Sequence, residues 1–250
     1  MAPESVKSAQ RVIEMLRVFA RYRTPLSQAE LLDATHYPQS SMTALLKTLT
    51  ANGLLHYNSY TRQYFPTMLV KDLGSWIEDP TPEAAWITRL MTELRAFSGE
   101  TVALGVQNDT IMMYLRSFES DHIVRYNVRA GEQRALLDTS MGWLLLSRMD
   151  PRSIEQVYRR SSLESRQNVG PLEDFLVEMK KVRGQDYCYV ANIPPKAGTV
   201  SMLLPASFNR APIVIGVGGF IDRMEGRVDE ILAEMRRLIE LYRPEASAEA

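Results

Sequence analysis

The stretch Pro38-Gln39-Ser40-Ser41-Met42-Thr43-Ala44-Leu45-Leu46-Lys47-Thr48-Leu49 decides how this chain is read. With a residue every ~100° around a helix, Met42, Leu45, Leu46 and Leu49 fall on one side, and Gln39, Ser40, Thr43, Ala44 and Lys47 fall on the other. One flank is a stripe for a core; the other is small, polar and lightly basic. That second flank suits a DNA groove. Glutamine pairs with adenine, serine and threonine reach bases or phosphates, lysine meets guanine or phosphate, and an alanine methyl lies against thymine. A solvated helix in an all-helical bundle would carry the same pattern, so the neighbouring segments must choose.

Upstream, Val6, Ala9, Val12, Ile13, Leu16 and Phe19 recur at spacings of three and four, which predicts an amphipathic helix from Ser5 to Ala20. After Thr24-Pro25, Ser27-Gln28-Ala29-Glu30 has the spacing of a capping box and starts a short helix that stops near His36-Tyr37-Pro38. Downstream, Asn52-Gly53 is a helix-ending pair. Leu54 to Tyr57, a polar tip at Asn58 to Thr61, and Arg62 to Phe65 then read as a hairpin. Three helices, the last two tightly joined, followed by a hairpin are the parts of a winged helix-turn-helix, whose third helix enters the major groove. Arg62 sits where a wing would hold a phosphate, or is a solvated arginine.

Helical spacing resumes from Thr67 to Glu78 with Leu69, Val70, Leu73, Trp76 and Ile77, and Asp79-Pro80-Thr81-Pro82 then interrupts it. The expected division is residues 1–66 as head, 67–82 as a linker helix and 83–250 as body, with Trp76 and Ile77 as candidate coupling contacts. In the body, a helix over Glu83 to Ser98 precedes strand-like runs at Thr101 to Gln107, Ile111 to Phe118 and His122 to Val128. Helices follow at Thr139 to Arg148, Pro151 to Ser161 and Leu172 to Arg183. Strands at Tyr187 to Ile193, Thr199 to Leu204 and Ile213 to Val217 lead into a last helix, Arg227 to Tyr242. Helices flanking a mostly antiparallel sheet make an α+β body.

Composition agrees with a folded chain in two parts. There are 250 residues, 45% hydrophobic and 24% charged, too apolar for disorder and longer than one typical domain. Residues 1–76 carry a net +3 and residues 77–250 a net −4, which points a polyanion partner at the head. A single cysteine, Cys188, excludes an intramolecular disulfide framework. The longest uncharged stretches, Ala197 to Asn209 and Ala211 to Ile221, fall short of the ~18 residues of a membrane span. The N-terminal residues lack the pattern of a secretory signal, so a cytoplasmic protein is expected.

Reactive groups do not converge. His36, His56, His122 and Cys188 lack metal-ligand spacing, and Cys188 among Tyr187, Tyr189 and Val190 reads as a buried thiol, so no catalytic residue, metal or cofactor is expected. Gly216-Val217-Gly218-Gly219 follows a strand, but Ile221 stands where the dinucleotide fingerprint needs a glycine. A phosphate loop, a pocket floor and plain close packing all remain open for it. The loop from Arg129-Ala130-Gly131 to Leu137-Asp138-Thr139-Ser140 enters a helix whose first turn suits an anionic ligand, or is an ordinary capped helix.

Ser5-Val6-Lys7-Ser8-Ala9, Pro25-Leu26-Ser27, the Pro38 to Leu49 segment and Gly53-Leu54-Leu55 together resemble the IclR family of bacterial transcription regulators. The likeness continues in Thr139-Ser140-Met141-Gly142-Trp143 and in the strand from Gly198 to Pro205. It implies a winged helix-turn-helix joined by a helical linker to a GAF-like effector domain, working as a homodimer or tetramer on a palindromic double-stranded operator. DNA contacts would then fall on Gln39, Ser40, Ser41, Thr43, Ala44, Lys47 and Arg62, and a small-molecule effector would meet Thr139, Ser140, Asn192, Ser201, Gly216 and Gly218. Repression and activation are both compatible with it.

Two departures from the family pattern stand out. Serines are usual where Gly216 and Gly218 lie, so their loss should enlarge the cavity and favour an acid bulkier than three carbons, such as an aromatic carboxylate. Arginine is common where Gln39 and Ala44 lie, so base preference should shift toward A·T pairs. The competing reading is a small-molecule enzyme or sensor subunit whose helical head contacts protein.

Overall fold

The computed structural model describes residues 6–75, 82–161, 170–193, 195–208 and 210–243. The chain divides into two compact units, Met1–Asp79 and Pro80–Ala250.

In the first unit, α1 (Lys7–Tyr22) turns Met15 and Phe19 inward and stops where Arg23 takes φ +55°. A two-residue strand, β1 (Leu26–Ser27), precedes α2 (Gln28–Thr35). The capping box forms: Ser27 Oγ accepts from the Glu30 amide, and Glu30 Oε2 accepts from the Ser27 amide at 2.7 Å. α2 ends one step before the expected proline effect, because His36 takes φ +56° and its amide donates back to the Leu32 carbonyl. α3 (Gln39–Ala51) follows, and Gly53 at φ +73° turns the chain into β2 (Leu55–Asn58) and β3 (Gln63–Pro66). β3 lies between β1 and β2, with Leu26 opposite Tyr64 and Tyr57 opposite Tyr64 from the other side. Met15, Phe19, Leu26, Leu31, Met42, Leu45, Leu46, Leu49 and Leu55 form the core beneath this wing. α4 (Met68–Ser75) ends the described part of the unit; Trp76 and Ile77, the expected coupling contacts, lie outside the described residues.

The second unit opens with α5 (Pro82–Ser98), β4 (Thr101–Asn108), β5 (Ile111–Phe118) and β6 (Gln133–Ala135). A 3₁₀ turn at Leu136–Asp138 leads into α6 (Ser140–Ser147), α7 (Pro151–Ser161) and α8 (Leu172–Arg183). Then come β7 (Tyr187–Ala191), β8 (Ala197–Phe208), β9 (Ala211–Phe220), α9 (Ile221–Met224) and α10 (Val228–Tyr242). The sheet is antiparallel in the order β6-β5-β4-β9-β8-β7, two meanders joined along β4 and β9. Strand side chains alternate between faces. Val102, Leu104, Val200, Met202, Ile215 and Val217 pack under α5 and α10. Ala103, Met112, Tyr114, Cys188, Val190 and Val214 pack under α6, α7 and α8.

One expectation fails here, and one of the open readings is excluded. His122 to Val128 is not a strand: the edge of β5 is taken by β6, and the segment is pinned through side chains instead. Ser120 Oγ donates to the Gly99 carbonyl at 2.6 Å, and Thr101 Oγ1 donates to the Tyr126 carbonyl at 2.6 Å. Ile123 and Val124 both face solvent, which no half-buried strand allows. Gly216 to Gly219 is no phosphate loop either, because it is extended backbone inside β9 and the buried Glu100 carboxylate lies against Gly219. That carboxylate is bonded by Arg223 Nη2 at 2.9 Å, tying α9 to the start of β4.

α6 is pressed onto the 3₁₀ turn so closely that a methyl at Gly142 would stand 2.0 Å from the Leu136 carbonyl oxygen. Backbone cannot step aside cheaply, so Gly142→Ala should destabilise the second unit by about 3 kcal/mol or more in urea unfolding. Gly74→Ala in α4, where nothing lies within 4 Å, should instead stabilise by about 0.5–1 kcal/mol. Burial pushes the Cys188 thiol up to about 12, so it stays protonated below that pH. Alkylation at pH ~8 should therefore run at least ~100-fold slower in the native protein than in urea, as read by mass spectrometry.

Candidate functional site

The third helix presents its polar flank. Gln39, Ser40, Thr43, Ala44 and Lys47 are exposed, while Met42, Leu45, Leu46 and Leu49 are buried. Ser41 differs from its expected neighbours: it is half-buried at the edge of the flank, and its hydroxyl accepts from Arg11 Nη1 of α1 at 2.6 Å. Arg11 also stacks over the Tyr37 ring at 5.0 Å, and the Tyr37 hydroxyl donates to the Glu14 carboxylate. Burial and that bond push Tyr37 up to about 12, and the same hydrogen bond holds Glu14 below the usual carboxylate range. These contacts fix the pitch of α3 on α1. Thr43 Oγ1 accepts from Gln28 Nε2 at 2.8 Å and donates to the Gln39 carbonyl at 2.9 Å, so α2 grips the exposed flank as well. Arg11, Gln28 and Tyr37 escaped the sequence reading because each acts across two helices.

At the wing, Asn58 Oδ1 accepts from the amides of Tyr60 at 2.9 Å and Thr61 at 3.3 Å. Arg62 closes the turn at φ +56° with its side chain exposed, and Tyr60 at the tip is 98% exposed.

In the second unit the register creates a cavity. Thr101, Gly218 and Thr199 lie side by side across β4, β9 and β8, and Ala103, Gly216 and Ser201 form the next rung. Such small side chains cannot fill the layer beneath α6, and a cavity of about 40 Å³ remains. Thr139, Gly216 and Gly218 line it as expected residues, together with Thr101, Ala103, Tyr114, Tyr126, Val128, Arg134, Met141, Ile193 and Thr199. Ser140 and Ser201 are fully buried but outside this lining; Ser201 Oγ donates weakly to the Cys188 carbonyl at 3.4 Å. Asn192 is also outside it, held in the β7–β8 turn at φ +62° with its Oδ1 accepting from the Lys196 amide.

The lining includes polar groups. Burial pushes Tyr114 up to about 12 and raises Tyr126, so both phenols stay protonated and can donate at neutral pH. Arg134 Nη2 pairs with Glu132 Oε1 at 2.7 Å, whereas Arg134 Nε is buried and meets no acceptor among the described residues. The Arg134 guanidinium also acts on the neighbouring Tyr114 phenol. Thr139 caps α6 by accepting from the Gly142 amide at 2.8 Å.

At Gly216 the expected added space is taken up by a neighbour, whereas Gly218 still borders the cavity. A methyl on Gly216 would stand 2.5 Å from Met141 Cε, so the thioether already fills that space. One on Gly218 would stand 3.3 Å from Thr199 Oγ1. Among the described residues there is no group of three or more His, Cys, Asp or Glu that could hold a metal, and no helix long and apolar enough to cross a membrane.

Comparison with known proteins agrees with this geometry. Residues 8–59 match the IclR helix-turn-helix domain, and residues 84–239 match the bacterial transcriptional regulator IclR C-terminal domain. The HTH-type transcriptional regulator KdgR of Dickeya chrysanthemi is 23% identical over 74% of this chain and 61% of its own length, so the chain spans under two thirds of that relative. The probable transcriptional regulator SauR of Cupriavidus necator is 21% identical over 93% of this chain and 92% of its own. Among solved structures, the IclR of Thermotoga maritima superposes with a TM-score of 0.67 at 14% identity, covering 95% of this chain and 99% of that one. The effector domain of a putative IclR regulator from Acinetobacter sp. ADP1 gives 0.62 at 27% identity over 66% of this chain and 98% of its own. These relatives are regulators rather than enzymes, and the chain belongs to the IclR family of bacterial transcriptional regulators.

Proposed function

We propose that this chain is a ligand-responsive regulator: its head reads an operator, and its second unit binds a small organic acid that modulates that binding. The observation that carries the reading is the exposed flank of α3, polar and basic, standing opposite a fully buried apolar stripe. Gln39, Ser40, Thr43, Ala44 and Lys47 meet base edges and phosphates in the major groove, with Ser41 at the margin, and Arg62 meets a phosphate from the wing. Val6, Ile13, Met68, Leu69 and Leu73 are exposed apolar residues of the same unit, available to a second copy. Two copies about a two-fold axis read a palindrome.

Arg134, with its unmet Nε, anchors the acid's carboxylate, while Tyr114, Tyr126, Thr139 and Thr199 complete the polar wall. Ser140 follows Thr139 and Ser201 pairs with Gly216, so both act on the effector through those neighbours, and Asn192 shapes the turn beside Ile193.

Gel shifts on the DNA upstream of the protein's own gene, across ~50 to ~200 mM salt, test the head. Lys47→Ala and Arg62→Ala should each weaken binding and reduce the log–log salt slope by about 1; unchanged slopes would remove both from the phosphate contacts. Titration calorimetry with pyruvate and benzoate tests the second unit. Arg134→Met should weaken every acid that binds at least ~10-fold and leave acid-free DNA binding intact, whereas undiminished affinity would displace Arg134 from the site.

A further inference from the structure

Gly105 on β4 and Gly216 on β9 project toward α6, where other residues would place a side chain. The gap between them is a trough in the sheet surface, and thioethers lie in it. A methyl on Gly105 would stand 2.7 Å from Met112 Sδ and 3.0 Å from Met141 Sδ, and one on Gly216 would stand 2.5 Å from Met141 Cε. Met141 and Gly216 also line the cavity that holds Arg134. The Met141 side chain is thus the partition between the cavity and the trough.

We propose that Met141 is a movable stopper that sets which acids the cavity accepts. An acid whose carboxylate meets Arg134 pushes the Met141 thioether aside with its apolar part and takes the space it leaves over Gly216, while Met112 stays over Gly105. The inference rests on the reading of the cavity as the effector site.

Size makes displacement necessary. A water needs about 10–15 Å³ in such a cavity, so the existing 40 Å³ takes a few waters or a very small acid. A benzene ring occupies an engineered apolar space of about 150 Å³, far more than is open. Chemistry makes displacement easy. Methionine is unbranched, turns about three side-chain bonds and carries no strong hydrogen-bonding group to leave unmet. Ala103, Val128 and Ile193 give the incoming apolar group an apolar wall. The acid class is therefore a monocarboxylate bearing a ring or short hydrocarbon chain.

Calorimetry on the intact protein, comparing pyruvate with benzoate, reads the stopper as a ratio of association constants. Met141→Ala opens the trough in advance and should raise the benzoate-to-pyruvate ratio at least ~10-fold, counting benzoate binding that appears only in the variant. Gly216→Ala puts a methyl where the thioether rests, drives it into the cavity, and should lower the ratio at least ~10-fold. Melting curves establish that each variant folds, and Met141→Leu, branched and near in volume, serves if Met141→Ala does not; it should lower the ratio. A ratio that stays within twofold of the parent in the folded variants overturns the stopper. Uptake of neutral benzene by Met141→Ala, absent in the parent, is expected too and needs no carboxylate anchor. If benzene enters but no acid binds any variant, the effector-site reading fails and the stopper's role in acid selection falls with it. If acids bind through Arg134 and benzene is refused, the stopper alone is overturned.

Discussion

Burial of Met42, Leu45, Leu46 and Leu49 determines which flank of α3 looks outward. Each such side chain contributes about 1.5–3 kcal/mol on leaving water, so turning the helix over would forfeit more than a small head can spare. The polar flank needs no force of its own to be exposed; it is what remains. Arg11, Tyr37 and Gln28 then set the pitch within that constraint, by gripping Ser41, the α2–α3 junction and Thr43. They join helices that the apolar stripe alone would let slide.

In the second unit the same logic runs through a sheet. Alternation sends one set of side chains to α5 and α10 and the other to α6, α7 and α8. Where the second set shrinks to threonine, alanine, serine and glycine on neighbouring strands, the layer is left thin, and the close seat of α6 at Gly142 stops the helix from sinking to fill it. What fills it in part is Met141, carried by α6 itself. Cavity, polar wall and stopper thus follow from side-chain size at a few paired positions.

Much of this was legible in the sequence. Spacings of three and four located α1 and α3, the ranges expected for α7 and α8 have the bounds observed, and Ser27 to Glu30 announced its capping box. Short elements were not legible: β1 has two residues and β6 three, too few for a period to show. His122 to Val128 misled because its β-branched residues favour strand, while side-chain bonds from Thr101 and Ser120 hold it as a loop. Thr139, Gly216 and Gly218 line the cavity, but Thr101, Thr199 and Arg134 join them only through strand pairing across many residues, which no local pattern encodes. Gly216 was read as added space because the side chain that occupies it, Met141, belongs to another element.

Placing a photo-crosslinker on α3 tests the account most directly. Cys188 is buried, so a single cysteine introduced at Thr43 can be labelled selectively, with one at Glu30 on the exposed side of α2 as the comparison. On the protein's own upstream DNA, the Thr43 position should crosslink to bases through the major groove and the Glu30 position should not. Equal crosslinking from both, or none from Thr43 while DNA is bound, would contradict the docking of α3 by its polar flank.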